Sequence, residues 1–186
     1  MKRVRLMLVL VMVVAMLVSI PAAMGHYGDV KPGSCPNPIN LNSQGVVSIA
    51  AAGSDTVDVT TINLDTVYVH FYNQTGEAFV PILRSSFEDV INTSTTPGDF
   101  PDCNPISTED GYMDLVVKVN VTALVDAGLY KPELTDGMLQ MNLVYEFNDG
   151  TLGESQWDAV RIIDNPNMGK AVGPTNANAV EKNKNK

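Results

Sequence analysis

The chain has little with which to do covalent chemistry. Two histidines, two cysteines and one tryptophan are spread over 186 residues. A nucleophilic serine or cysteine needs a base held by an orienting acid, and no Gly-x-Ser-x-Gly turn or comparable signature occurs. Neither Cys35 nor Cys103 has a histidine near it, which removes the usual zinc spacings. Cations are scarce as well, with 12 Lys and Arg against 21 Asp and Glu and a formal charge of −9. That balance argues against nucleic acid as a partner, because cationic side chains must displace the counterions. Carboxylates alone are plentiful, so a secreted hydrolase testable at Glu88 and Asp89 is kept as a remote alternative. The expectation is a protein with no catalytic residues and no organic cofactor.

What is present points first to export. Lys2, Arg3 and Arg5 precede an apolar run over 6–20, broken only by Ser19 and ended by Pro21. Ala23 and Gly25 then stand at minus three and minus one of a cut before His26. This is the layout of a secretory signal peptide over 1–25, with an apolar core too short for a comfortable span. Retention of that segment as an anchor is the alternative. No second apolar run follows, so no transmembrane anchor is expected after cleavage, and the location is secreted or cell-surface. The signal holds three of the 12 basic residues and no acidic ones, so the remaining chain is more acidic still. From Pro166 onward the composition turns to Gly, Asn, Ala and Lys without periodicity, and 166–186 reads as a disordered basic tail.

Between them, 26–165 reads as one domain of short strands. Apolar residues recur with period two over 46–51, 67–72, 79–83, 114–121, 138–148 and 160–163, separated by turn chemistry. Pro81 suits an edge or a bulge. Only 122–127 looks helical, and Gly128 should stop it. The fold class is therefore all-β, a single β-sandwich of Ig-like architecture with one short helix. Alternation places His70 on the face of Tyr68 and Tyr72. Trp157, with no aromatic neighbour in the sequence, reads as a core or rim residue rather than a ligand platform.

Two cysteines in an exported chain are most simply one disulfide, Cys35 to Cys103. Asn-x-Ser/Thr sequons at Asn73, Asn92 and Asn120 are glycosylation candidates. The first two fall in expected loops and Asn120 at a strand end.

Several segments together resemble a module common in exported archaeal and bacterial proteins. Asp29-Val30-Lys31-Pro32-Gly33-Ser34-Cys35-Pro36-Asn37-Pro38-Ile39-Asn40 is similar to its opening, and 45–50 to the strand that follows. Val57-Asp58-Val59-Thr60-Thr61-Ile62, Glu88-Asp89-Val90, Asp110-Gly111-Tyr112-Met113-Asp114-Leu115 and Asp158-Ala159-Val160-Arg161-Ile162 match later segments in order. The resemblance covers roughly 29–164 and implies a β-rich accessory or surface domain without an assigned activity.

Many members of that family resemble a calcium loop where this chain has 110–114. Placing Gly111 at the loop's glycine puts Asp110 and Asp114 on carboxylate positions and the Tyr112 carbonyl on a backbone position. Ile106, Thr108 and Val117 then stand where oxygen ligands are needed. Asp110 and Asp114 as turn formers are the competing reading. The functional expectation is a non-enzymatic structural or interaction module at the cell surface. The alternative is a calcium-dependent binding module for a glycan or protein partner.

Overall fold

The computed structural model describes residues 24–92 and 109–166. The expected signal up to residue 23, Cys103, and the expected tail beyond Pro166 lie outside the described residues. Eleven strands are present among the described residues. They are β1 (Met24–His26), β2 (Gly28–Val30), β3 (Pro38–Asn40), β4 (Val46–Ala51), β5 (Ile62–Asn73), β6 (Gly76–Pro81), β7 (Arg84–Glu88), β8 (Asp114–Asn120), β9 (Met138–Phe147), β10 (Leu152–Ser155) and β11 (Asp158–Ile163). Among the described residues one α-helix, α1 (Val121–Asp126), follows β8, and Gly128 takes the left-handed φ of +92° just beyond it.

The strands form two sheets. The larger has β9 at its centre, paired with β5 along one edge and with β10 and β11 along the other. β6 extends it beyond β5, while β1 and β3 add in parallel to β10 and β11. The smaller sheet runs β2-β4-β8-β7, antiparallel throughout. The all-β sandwich expected from the sequence is the fold observed. β1 pairs Met24 with Gly153 and Gly25 with Glu154, so the expected cleavage before His26 would fall inside a strand.

One core lies between the sheets, and period two builds it. Val47, Ile49, Leu115, Val117 and Val119 enter from the smaller sheet. Val69, Phe71, Met141, Leu143, Tyr145, Val160 and Ile162 enter from the larger. Each such side chain contributes roughly 1.5–3 kcal/mol of burial, which sets the register because a one-residue slip would turn it outward. A smaller cluster of Ala50, Ala52, Ile91 and Val116 sits apart from that core. Ala50 and Val116 alternate with the core-facing residues of β4 and β8, which places them on the outer side of the smaller sheet.

The boundary differences have local causes. β5 continues upstream of residue 67 through a register shift between Asn63 and Tyr68. There Thr66 Oγ1 donates to the Asn63 carbonyl and accepts from Glu146 N. β6 stops at Pro81, ahead of the expected 83, and β7 follows it directly. The reversal after β9 is as expected. Gly150 has φ +85° and donates to the Phe147 carbonyl, while Phe147 N donates to the Thr151 carbonyl.

Candidate functional site

Two strands and a bend bring aromatic rings to the outer face of the larger sheet. Alternation turns Val69 and Phe71 inward, so Tyr68, His70 and Tyr72 turn outward from β5. Register then sets their neighbours: His70 pairs with Phe79 on β6 and with Asn142 on β9, and Tyr68 with Val144. Trp157, in the bend between β10 and β11, closes the group. The imidazole of His70 lies 4.4 Å from the Phe79 ring with planes 12° apart, and 4.8 Å from the Trp157 ring. Tyr72 stands 5.6 Å from Trp157 with planes 22° apart. Tyr72 is 52% exposed and Phe79 50% exposed, so the cluster is a surface and not a second core. The expectation that Trp157 lacks aromatic company is corrected: its neighbours come from β5 and β6, distant in sequence.

Polar groups sit among these rings without partners of their own. His70 is 7% exposed and Asn142 1%. Neither ring nitrogen of His70 has a hydrogen-bond partner, nor does Asn142 Oδ1. Glu77 Oε1 lies 3.9 Å from His70 Nε2, too long for a hydrogen bond, and accepts instead from the Tyr72 hydroxyl at 3.2 Å. That bond to Glu77 holds the Tyr72 phenol above its ordinary range, with the nearby Glu77 charge adding to it and Glu154 contributing less. Asn142 Nδ2 donates to the Ser155 carbonyl at 3.2 Å and to Glu154 Oε2 at 3.4 Å. A cavity of ≈ 390 Å³ continues along the face past Glu154, lined by Thr66, Val144, Glu146 and Leu152.

The segments singled out in the sequence meet elsewhere and hold loops. Asp114 is fully buried at the start of β8. Its Oδ1 accepts from Gly53 N at 3.0 Å, and its Oδ2 from Val90 N and Ile91 N at 2.7 Å each. Burial pushes its carboxyl up, against the pull of these three amides. Asp110 Oδ1 accepts from Tyr112 N at 3.0 Å, and Gly111 takes φ +92°. Asp89 accepts from Asp110 N at 3.0 Å and Gly111 N at 2.8 Å. So Asp110 and Asp114, the residues expected to ligate calcium with the Tyr112 carbonyl, are brought close together. Both Asp114 oxygens, however, are directed at backbone amides, and the exposed Tyr112 belongs to an Asx-type turn. No group of three His, Cys, Asp or Glu side chains among the described residues is arranged to hold a metal. Ile106 and Thr108 lie outside the described residues.

A second clasp joins the opening segment to the closing one. Asn37 is buried with φ +36°, and its Nδ2 donates to Asp158 Oδ2 at 2.8 Å and to the Ala159 carbonyl at 2.9 Å. Asp158 Oδ2 also accepts from Val30 N at 2.7 Å, while burial pushes this carboxyl up. Asp29 beside it is raised to about 7, by burial first and the Asp158 charge second, with an amide bond from Gly33 opposing. Its Oδ2 is buried without a partner. Two carboxyls sharing one buried site make proton exchange near neutrality part of the fold's stability.

The remaining candidates are placed as follows. Cys35 is exposed in the loop after β2, and its expected partner lies outside the described residues. Asn73 ends β5; its Nδ2, where a glycan would attach, donates to the Ala127 carbonyl at 2.9 Å. Asn92 follows β7 in an irregular segment, and Asn120 is the residue before α1. Among the described residues no helix is long and apolar enough to cross a membrane. No family model matches this chain, and no curated protein matches it.

Proposed function

We propose that this chain is an exported, non-enzymatic interaction module that docks through the outer face of its larger sheet. The observation that carries this reading is the pair of half-exposed rings, Tyr72 and Phe79, gathered with the partly buried Trp157 around the buried His70. Aromatic rings gathered on a rigid sheet supply large contact area at low entropic cost, the usual anchor of a recognition surface. The Tyr72 hydroxyl and the exposed Glu77 carboxylate beside the rings add direction to that contact. The amino-terminal layout supports export, and a Cys35–Cys103 bridge belongs to the same proposal, as an exported chain would form one. Asn37, Asp89, Asp110, Asp114 and Asp158, from segments shared with the resembling exported modules, are taken up by loop clasps.

Co-sedimentation with envelopes of the producing cell tests this reading. The wild-type protein should pellet with them, and Tyr72→Ala and Phe79→Ala should each cut the bound fraction severalfold while melting as the wild type does. Equal pelleting of all three proteins would overturn the assignment of this face.

A further inference from the structure

The ligand class can be read from the chemistry of the same face, and this inference rests on the reading just given. We infer that the aromatic face binds a neutral glycan, one or two sugar rings stacking on Tyr72, Phe79 and Trp157.

A pyranose ring has an apolar C–H face and a rim of hydroxyls, so it needs an aromatic surface and polar atoms at its edge together. Both are here within one or two strand spacings. Tyr72 and Trp157 form an offset stack with centroids 5.6 Å apart, and Tyr72 keeps half its surface open. The Phe79 ring backs onto His70 at 4.4 Å and leaves half its surface open. Around them lie polar atoms that sugar hydroxyls can reach: the Tyr72 hydroxyl, exposed with its ring, and the Glu77 carboxylate that accepts from it. A sugar hydroxyl, which both donates and accepts, can serve either kind.

Charge narrows the class. The ionisable groups beside the rings are Glu77, bonded to the Tyr72 hydroxyl, and Glu154, bonded to Asn142. Arg161 on β11 is held by Asp136. Two carboxylates accept hydroxyl hydrogen bonds readily but repel uronate, sulfate and phosphate groups. A protein partner fits less well, since stable protein interfaces bury on the order of 1,200–2,000 Å² around a core depleted of charge. Here a compact group of rings is edged by carboxylates. Beyond Glu154 the ≈ 390 Å³ cavity lined by Val144, Glu146 and Leu152 extends the track for a further sugar unit.

The test uses the purified protein with insoluble cellulose, chitin and mannan as neutral probes, and immobilised polygalacturonate as the anionic one. Retention is expected on at least one neutral polymer and not on polygalacturonate. Tyr72→Ala and Phe79→Ala should each weaken retention roughly tenfold with unchanged melting, as loss of one stacking ring implies. Leu134→Ala, at a fully exposed position in the β8–β9 connection, should bind as the wild type does. Retention on no neutral polymer, or retention indifferent to both aromatic variants, would overturn the inference. Its failure is separable from that of the docking reading. Envelope binding that survives periodate oxidation of the glycans yet is lost in Tyr72→Ala would reject the sugar and keep the surface.

Discussion

Asp89 and Asp114 each hold the other's loop. Asp114, at the start of β8, accepts the amides of Val90 and Ile91, the two residues after Asp89. Asp89, in return, accepts the amides of Asp110 and Gly111 on the approach to Asp114. The loops on either side of residues 93–108 are thereby tied to each other by carboxylate-to-amide hydrogen bonds. Removing the Asp114 carboxylate would strand the Gly53, Val90 and Ile91 amides. Asp114→Ala should therefore lose at least about 3 kcal/mol of stability by urea unfolding. A loss below 1 kcal/mol would contradict the clasp.

The same geometry bears on calcium. With both Asp114 oxygens engaged by amides, melts in calcium and in EDTA should coincide. An ion bound at about 100 times its dissociation constant would instead add roughly 2.7 kcal/mol. A shift of several degrees in calcium, abolished by Asp110→Ala, would restore Asp110, Tyr112 and Asp114 as ligands.

Asp29 gives the fold a pH dependence whose sign follows from its burial. Its carboxyl ionises near 3.8 in the unfolded chain and at about 7 when folded. Between these values the folded protein keeps a proton that the unfolded chain has released. The Asp29 contribution to stability is then full below about pH 4 and is lost as pH rises from there through about 7. Burial pushes Asp158 and Asp114 in the same direction. From pH 5 to pH 8 the unfolding free energy should drop by about 2 kcal/mol, and Asp29→Asn should flatten the slope. Stability that rises over that interval would contradict the account.

A disulfide between Cys35 and Cys103 would close a long loop and add roughly 4 kcal/mol in the chain-entropy model. The intact mass of the purified protein should lie two hydrogens below the reduced value. Two alkylatable thiols in the native protein would exclude the bridge.

Much of the fold was legible because period two is a local signal. The alternation of Leu115, Val117 and Val119, and of Met141, Leu143 and Tyr145, is the core, and it also placed His70 beside Tyr68 and Tyr72. The three- and four-residue strands β2, β3 and β10 are too short for a pattern; they exist because distant partners pair with them, as β11 does with β3. The candidate site was hidden for the same reason. Tyr72, Phe79 and Trp157 belong to three separate segments, and only the pairing of β5, β6 and β9 assembles them. Asn142 looked like an ordinary outward residue of an alternating strand, and nothing in its spacing announced that it would be 1% exposed. The clasps were half-visible. Their residues stood in the segments that resemble exported modules, but Asn37 and Asp158 are 121 positions apart.

Trp157 is the sole tryptophan, so its emission reports on the aromatic face alone. The most direct measurement is iodide quenching of that emission, with and without envelopes of the producing cell, after subtraction of the envelope background. If the face is the docking surface, quenching should fall severalfold when envelopes are present and return to the free value in Tyr72→Ala. Quenching unchanged by envelopes that nevertheless pellet the protein would place recognition elsewhere and contradict the account.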